Sequence, residues 1–462
     1  MYLKEFDNQR GQNPGNAQFE ANKKGAILYM KSKFEAAGLT VHLQNFTSTD
    51  TNNGQAVNGT NLIAVLPGQA YKTAKDEVVV LAAHVDTYGT GAGGVNNDGT
   101  GLVGLLAIAE DLAGSEKCTL KNSIIFAAFD RSETGGSYTF CNSSCGSMEF
   151  LKNKATYIGS GKIKLAMVMD CIGSFDKSDK SQIFSQSMEK HFNEIVLEEG
   201  LTDFWGDFLA ITGRSDDGVY LQEFERFYKA NKVQHDFRVL AFQWNIKGVP
   251  TSQNRSNLIG GFKGGDHMSF WDADINTILL TDTCYNRGYM KDSCKDDKTC
   301  DTISKLSATR YEFMYSAVYS AMRVTKNLTC ADCAICSPYA DCKNDTCICR
   351  TGFTGNGIKC TAIACASCSP DAVCQNNACV CKPGYTGDGN TCKTIACASC
   401  SPDAVCQNNA CVCKPGYTGD GNTCKKVNSS SSLASPHQLL ISTFVLLSLV
   451  VILSNAFQYK TV

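Results

Sequence analysis

Positive charge is gathered nowhere along this chain. Its 43 Lys and Arg residues stand against 45 Asp and Glu, a formal net charge of −2. Without a basic stripe the sequence offers no electrostatic footing for nucleic acid. The first ten residues, MYLKEFDNQR, are polar and charged and lack the apolar stretch of a secretory leader. Histidine is scarce: of six in all, none occurs between His267 and His437, so a metal site has few imidazoles to draw on. Cysteine is thin in one part of the chain and dense in another, with seven in residues 1–326 and nineteen in 327–426.

What is present points outside the cytoplasm. A chain of 462 residues exceeds one compact core and implies two or more units. Cysteine at that density, in a stretch with little apolar residue to bury, indicates disulfides and an oxidising compartment. Acceptor triplets for N-glycans begin at Asn45, Asn58, Asn142, Asn254, Asn327, Asn344 and Asn428, in keeping with a secretory route. A leader preceding residue 1 is therefore expected. At the far end LLISTFVLLSLVVIL (439–453) is apolar, and the run extends to Phe457. Fifteen helical residues rise only about 23 Å, while nineteen approach the roughly 30 Å of a hydrocarbon core. The preceding NSSSSLASPHQ is a small-residue patch and spacer of the kind that precedes a lipid anchor. A transmembrane helix or a lipid-anchor signal is expected over 439–457, after a Ser-rich linker at 425–438. Either places the rest of the chain at the cell surface, outside the plasma membrane.

Residues 363–392 read IACASCSPDAVCQNNACVCKPGYTGDGNTC and recur unchanged at 395–424. Residues 333–360, within a first unit at 329–360, keep the same cysteine spacing of two, five, four, one and ten intervening residues. Each copy is too small for a useful apolar core, so crosslinks must substitute. A zinc cluster is the rival reading of so many cysteines, but the secretory features outweigh it. The spacing resembles the epidermal-growth-factor-like (EGF-like) module. That resemblance implies the pairs Cys365–Cys374, Cys368–Cys379 and Cys381–Cys392, and a stalk that lifts the first domain from a membrane.

Residues 1–326 alternate helix and strand signals. Apolar residues recur at helical spacing over 20–38 and stop at a glycine. Strands are predicted over 39–46, 61–68, 77–86, 121–130, 162–173 and 275–282, with further helices over 101–113 and 306–324. The run EVVVLAAHVD (77–86) is apolar almost throughout, as in a strand covered on both faces. The pattern predicts an α/β sandwich with a mostly parallel or mixed central sheet. Ligands in such folds gather at the carboxyl ends of the strands. His84, Asp86, Asp130 and Asp170 fall at such ends, with Glu133 just beyond one.

The segments HVD, GAGGVNNDGTG, IIFAAFDRSETGGS, MVMDCIGS and GGDHMSFWDADINTILLTD follow one another in order. Together they resemble the zinc-dependent aminopeptidase family, family twenty-eight of the metallopeptidases, which also contains the non-catalytic ectodomain nicastrin. The resemblance covers roughly residues 5–325. It implies a phosphorylase/hydrolase-like sandwich holding two zinc ions about 3.5–4 Å apart that share an aspartate. By the same resemblance His84 and Asp170 are ligands of the first ion and Glu133 of the second. Asp86 is the acid that orients a ligating imidazole, and His267 lines the substrate cleft.

Three positions depart from that pattern. The shared aspartate falls on Asn97, a neutral amide and a poor bridge between two cations; Asp98 is adjacent, but successive side chains point differently. The general base falls on Ser132, whose hydroxyl cannot take a proton from a metal-bound water at neutral pH. The last histidine falls on Met290, a feeble zinc ligand, followed by KDSCKDDKTCDT. What remains suits at most one weakly held zinc ion, and loss of a base alone costs about 10²- to 10⁴-fold in rate.

Plainer readings accompany these. Asp130 could replace the base. GAGG lacks the lysine and spacing of a phosphate loop. Cys294 with Cys300, and Cys141 with Cys145, are candidate local pairs, and Cys171 is read as buried filler because no histidine stands in relation to it. The expectation is a membrane-anchored, peptidase-like surface protein, non-catalytic, with a cleft that takes a peptide or protein ligand. The alternatives are a zinc-dependent exopeptidase and a structural or adhesive surface protein.

Overall fold

The computed structural model describes residues 2–427 except 12–15, 50–53, 88–92, 115–117, 134–144, 184–204, 259–261, 263 and 294–299, and, in the tail, 332–335, 338, 344–345, 351–352, 363–367, 376–377, 384, 395–399 and 408–409. The expected membrane segment at 439–457 lies outside the described residues. Among those described, no helix is long and apolar enough to cross a membrane.

Eight strands build one mixed sheet: β1 (Thr40–Thr49), β2 (Ala56–Leu66), β3 (Glu77–His84), β4 (Ile124–Phe129), β5 (Lys162–Met169), β6 (Phe208–Arg214), β7 (Arg238–Trp244) and β8 (Thr277–Thr281). Their order is β1-β2-β4-β3-β5-β8-β6-β7. The central β4, β3, β5 and β8 run parallel, β2 is antiparallel to both β1 and β4, and β6 is antiparallel to β8. β6 and β7, which pair in parallel, were not anticipated from the sequence.

The helices are α1 (Ala17–Ala36), α2 (Thr100–Ala113), α3 (Gly146–Lys152), α4 (Lys154–Ile158), α5 (Gly218–Asn231), α6 (Ser252–Asn257), α7 (His267–Asp272), α8 (Gly288–Ser293) and α9 (Ala308–Thr329). They cover both faces of the sheet, which is why the central strands are apolar throughout. In β3 every residue after Glu77 is buried: Val79, Leu81 and Ala83 pack on the layer that includes α1, α2 and α9, and Val78, Val80 and Ala82 on the other. Local signals set the helix ends. The Asn16 side chain accepts from the Gln18 and Phe19 amides at the start of α1, and Gly38 turns the chain out with a φ of +83°.

Two compact units emerge, Met1–Ala362 and Ile363–Val462. The first takes in the first cysteine-rich copy. Cys118 is bonded to Cys330 just past α9, across 212 residues of sequence. The Ala331 amide donates to the Thr119 carbonyl at 2.8 Å, Lys359 Nζ donates to the Ala230 carbonyl at 3.0 Å, and Ile358 packs against the main core.

Each cysteine-rich copy folds as a pair of two-stranded ribbons held by disulfides. Cys368–Cys379 and Cys381–Cys392 form as the EGF-like pattern implies, and Cys400–Cys411 and Cys413–Cys424 repeat them. Of the pair Cys365–Cys374, Cys365 falls outside the described residues. Gly389 is required: its φ is +85°, and a Cβ there would lie 2.0 Å from the Cys379 carbonyl oxygen.

Removing a crosslink that spans most of the folded unit frees the unfolded chain. The C118A/C330A variant is expected to lose about 2–5 kcal/mol of stability, read by urea denaturation without reductant. An unchanged midpoint would show that α9 is anchored by packing alone.

Candidate functional site

The strand ends deliver polar groups to one place because β3, β4 and β5 are adjacent and parallel. β3 ends on His84, β4 runs on to Asp130, Ser132 and Glu133, and β5 on to Asp170. The loop after β3 returns through a tight helical turn at Val95–Gly99, where Asn97 leaves helical geometry (φ −110°, ψ 90°) and the Asn97–Asp98 peptide is cis. Buried Arg10 fastens this loop, donating from Nε to the Val85 carbonyl at 2.8 Å and from Nη2 to the Gly94 carbonyl at 2.9 Å.

His84 is the hub. Its Nδ1 lies 2.8 Å from the Asp86 carbonyl oxygen. Its Nε2 faces three oxygens: Asn97 Oδ1 at 2.9 Å, Asp170 Oδ1 at 3.7 Å and Glu133 Oε1 at 3.8 Å. The Asn97 amide then turns to the other side, donating from Nδ2 to Glu133 Oε1 at 2.8 Å, with the Tyr285 hydroxyl 3.3 Å away. Three of the side chains picked out by position in the sequence therefore join in a hydrogen-bonded chain, His84–Asn97–Glu133, with Asp170 beside it at 3.7 Å from His84 Nε2.

The surrounding acids hold backbone. Asp86 accepts from the Ser132 amide at 3.1 Å and the Glu133 amide at 2.9 Å, with Oδ1 3.6 Å from His84 Nδ1, so it positions both residues. Asp98 lies within metal-binding distance of His84 and Asp170, yet its carboxylate already accepts from the amides of His84, Gly101 and Cys171 at 3.1–3.2 Å. It is a brace for the strand ends rather than a substitute bridge. Asp130 is no substitute base either: it is ion-paired with buried Lys23 at 3.1 Å and accepts from the Thr60 and Arg131 amides.

Ser132 donates from its hydroxyl to Asp266 Oδ2 at 2.7 Å. His267 is buried, with Nε2 3.2 Å from the Phe262 carbonyl oxygen and its ring edge-on to Trp271. Gly265, at a φ of +97°, lets this turn close over the site; a Cβ there would lie 3.4 Å from His267 Nδ1 and 3.8 Å from Asp170 Oδ2. Met290 is buried in α8, and from this part of the chain it is Tyr285 that reaches Asn97. Cys171 is not filler: it is bonded to Cys284, whose Sγ lies 3.5 Å from Asp170 Oδ1. Cys145 and Cys300 are also disulfide-bonded, while their expected partners Cys141 and Cys294 lie outside the described residues.

Sequence reasoning missed Asp301, Tyr285 and Asp266. Asp301 accepts from the Asn96 and Asn97 amides at 2.7 and 2.9 Å and so sets the Asn97 backbone. Asp266 stands beside His267 in GGDHMSF, where a signal was available.

Charge balance follows from this crowding. Burial alone would lower the His84 pKa, but the adjacent carboxylates of Asp170 and Asp86 and the negative charge of Asp98 raise it well above the usual value. Nδ1 faces a carbonyl oxygen and Nε2 an amide oxygen, both acceptors, an arrangement that suits an imidazolium donating twice. Burial would raise Asp86, yet the bond and charge of His84 bring it down to about 2. Burial pushes Glu133 up to about 7 and Asp266 up to about 6.

In a tetrahedral zinc site ligand atoms sit roughly 3.3–3.6 Å apart. The separations of Asn97 Oδ1 and Asp170 Oδ1 from His84 Nε2, 2.9 and 3.7 Å, bracket that value, so His84, Asn97 and Asp170 fit one ion once Nε2 gives up its proton, with Glu133 bound to the far side of the Asn97 amide. They do not fit two. The bridging position is neutral and directs N–H toward Glu133, where a second cation would need negative charge. The cluster of Asp170 with Cys171 and Cys284 offers no thiolate while the disulfide stands.

A sequence model of Peptidase family M28 matches residues 61–322. The chain is 35% identical over 116 residues to Leupeptin-inactivating enzyme 1 of Streptomyces exfoliatus, covering 24% of each chain. It is 23% identical over 228 residues to the uncharacterized protein YfbL of Escherichia coli, covering 47% of this chain and 59% of that one. It thus spans about a quarter and about three-fifths of those relatives' lengths. Among solved structures, Porphyromonas gingivalis glutaminyl cyclase superposes with a TM-score of 0.46 at 14% identity, covering 71% of this chain and 95% of that one. A Zn-dependent exopeptidase from Parabacteroides distasonis superposes at 0.45 and 15%, covering 71% and 96%.

Burial lowers the His267 pKa to about 4. Its folded pKa is depressed, so between about pH 6.5 and 4 the unfolded chain binds the extra proton and stability falls as pH falls. The shift corresponds to about 3 kcal/mol. His267→Gln, which keeps a donor for the Phe262 carbonyl, is expected to flatten the stability profile over that window in denaturation series at several pH values. An equally steep profile would place the acid sensitivity elsewhere.

Proposed function

The chain belongs to peptidase family M28, and from that premise we propose that it is a cell-surface member whose cleft binds a peptide or protein terminus without cleaving it. The observation that carries this reading is the amide of Asn97, which accepts from His84 Nε2 and donates to Glu133 Oε1. Groups placed to ligate cations are instead satisfied by one another, with the His84 imidazolium supplying the positive charge. In this reading His84, Asp170 and Asn97 hold at most one ion loosely, and Glu133 stands alone at the second position. Such an ion, when bound, would polarise a carbonyl or activate a water.

The residues around the cleft complete the reading. Ser132 stands where a base belongs and spends its proton on Asp266. Asp86 orients His84 and Glu133, and His267 walls the pocket as a neutral imidazole. The cysteine-rich copies serve as a stalk, and residues 439–457 as the membrane anchor.

A second reading has its own support. Glu133 at a pKa of about 7 is poised for general-base work near neutral pH, and a single-ion exopeptidase could use it.

Zinc content of the secreted ectodomain, measured beside amino-acid release from unblocked peptides, separates the two. The proposed reading expects less than one zinc per chain, no chelator-sensitive turnover and retained peptide binding. Stoichiometric zinc with turnover would establish the exopeptidase. The N97D/S132E variant, which restores a bridge and a base, is expected to bind more zinc and to show chelator-sensitive amino-acid release that the unaltered chain lacks.

A further inference from the structure

The β1–β2 hairpin brings two glycan acceptor triplets into register. Asn45-Phe46-Thr47 lies on β1 and Asn58-Gly59-Thr60 on β2, and the antiparallel pairing sets Asn45 against Thr60 and Thr47 against Asn58. Each threonine serves the other triplet's asparagine: Thr60 Oγ1 donates to Asn45 Oδ1 and Thr47 Oγ1 to Asn58 Oδ1, both at 3.0 Å. The four side chains share one face of the ribbon. Asn45, Thr47 and Asn58 are exposed. Phe46 faces the other way against Gly59, where a Cβ would meet its ring at 2.3 Å.

This ribbon lies at one edge of the sheet. β1 is an outermost strand, and β4 pairs with β2 only over Leu62–Leu66. From Ala56 to Thr60 the hairpin continues past β4 as two strands, and open strand edges invite pairing with another chain. Half-exposed Leu43 adds apolar surface on the same edge.

We propose that Asn45 and Asn58 both carry N-linked oligosaccharides, and that these two glycans cover the free ribbon and block its pairing with a second copy. The inference rests on the secretory route in the function proposed above. The donor is a lipid-pyrophosphate-linked oligosaccharide. The asparagine Nδ2 gives up one proton and bonds to the anomeric carbon as the bond from that carbon to the pyrophosphate oxygen breaks, releasing the lipid pyrophosphate. The folded hairpin accommodates the product, because each threonine holds Oδ1 and leaves the modified nitrogen free of that bond. Diagonal cross-strand neighbours lie about 7–8 Å apart, enough for two glycans to project side by side.

The test uses the full chain secreted from eukaryotic cells behind a heterologous leader. Enzymatic release of N-glycans converts each occupied asparagine to aspartate, which peptide mass spectrometry assigns. Occupancy at both Asn45 and Asn58 is expected. Modification at Asn254 or Asn327 with both hairpin sites bare would overturn the proposal, as would no modification anywhere; neither outcome touches the reading of the cleft, which zinc content and amino-acid release test separately. For the shielding role, T47A/T60A removes both acceptors and keeps the asparagines, and N45Q/N58Q removes the asparagines. Both variants are expected to shift from monomer toward self-association in sedimentation analysis. A monomeric T47A/T60A protein would refute the shielding.

Discussion

The site depends on how one buried imidazole is balanced. His84 ends the central strand of a sheet covered on both sides, and the fold gathers Asp86, Asp98, Glu133 and Asp170 around it. Carboxylates this close are tolerable if some of them hold a proton or if positive charge stands among them. Two divalent ions would supply it if the bridging group were an anion. Asn97 is neutral, and the carboxylates instead meet a His84 whose pKa is raised well above the usual value, the Asn97 amide, and a Glu133 pushed up to about 7. The same arrangement explains why Asp98 does not take over as a bridge: its oxygens are bound to the amides that align His84 and Cys171.

Much of this was legible in the sequence. β3, β4 and β5 read as continuous apolar runs because helices cover both of their faces, and the strand-end positions of His84, Glu133 and Asp170 followed from those runs. β6 and β7 did not stand out: FLAITGR and RVLAFQW each carry a polar or charged end, and β7 lies at the sheet's other edge and is only partly buried. Asp301 was invisible for a different reason. It acts on Asn97 across 204 residues of chain, and its segment is polar with no periodic signal. The Cys171–Cys284 bond was hidden likewise, since the sheet, and not sequence spacing, brings the two together.

The disulfides divide the labour of stability. In the first unit they tie distant elements, Cys118 to the end of α9 and Cys171 to the loop after β8, where a large core already exists. In the repeated copies they replace the core, each described bond closing over 11 residues. The first copy belongs to both worlds, with its own crosslinks and contacts to α5 and the main core.

The protonation state of His84 tests this account most directly. In nitrogen-resolved NMR of the folded protein at pH 7, the account predicts an imidazolium with protons on both ring nitrogens, persisting well above the pH at which histidine ordinarily titrates. A neutral ring with an unprotonated Nε2, shifted on addition of zinc, would contradict it.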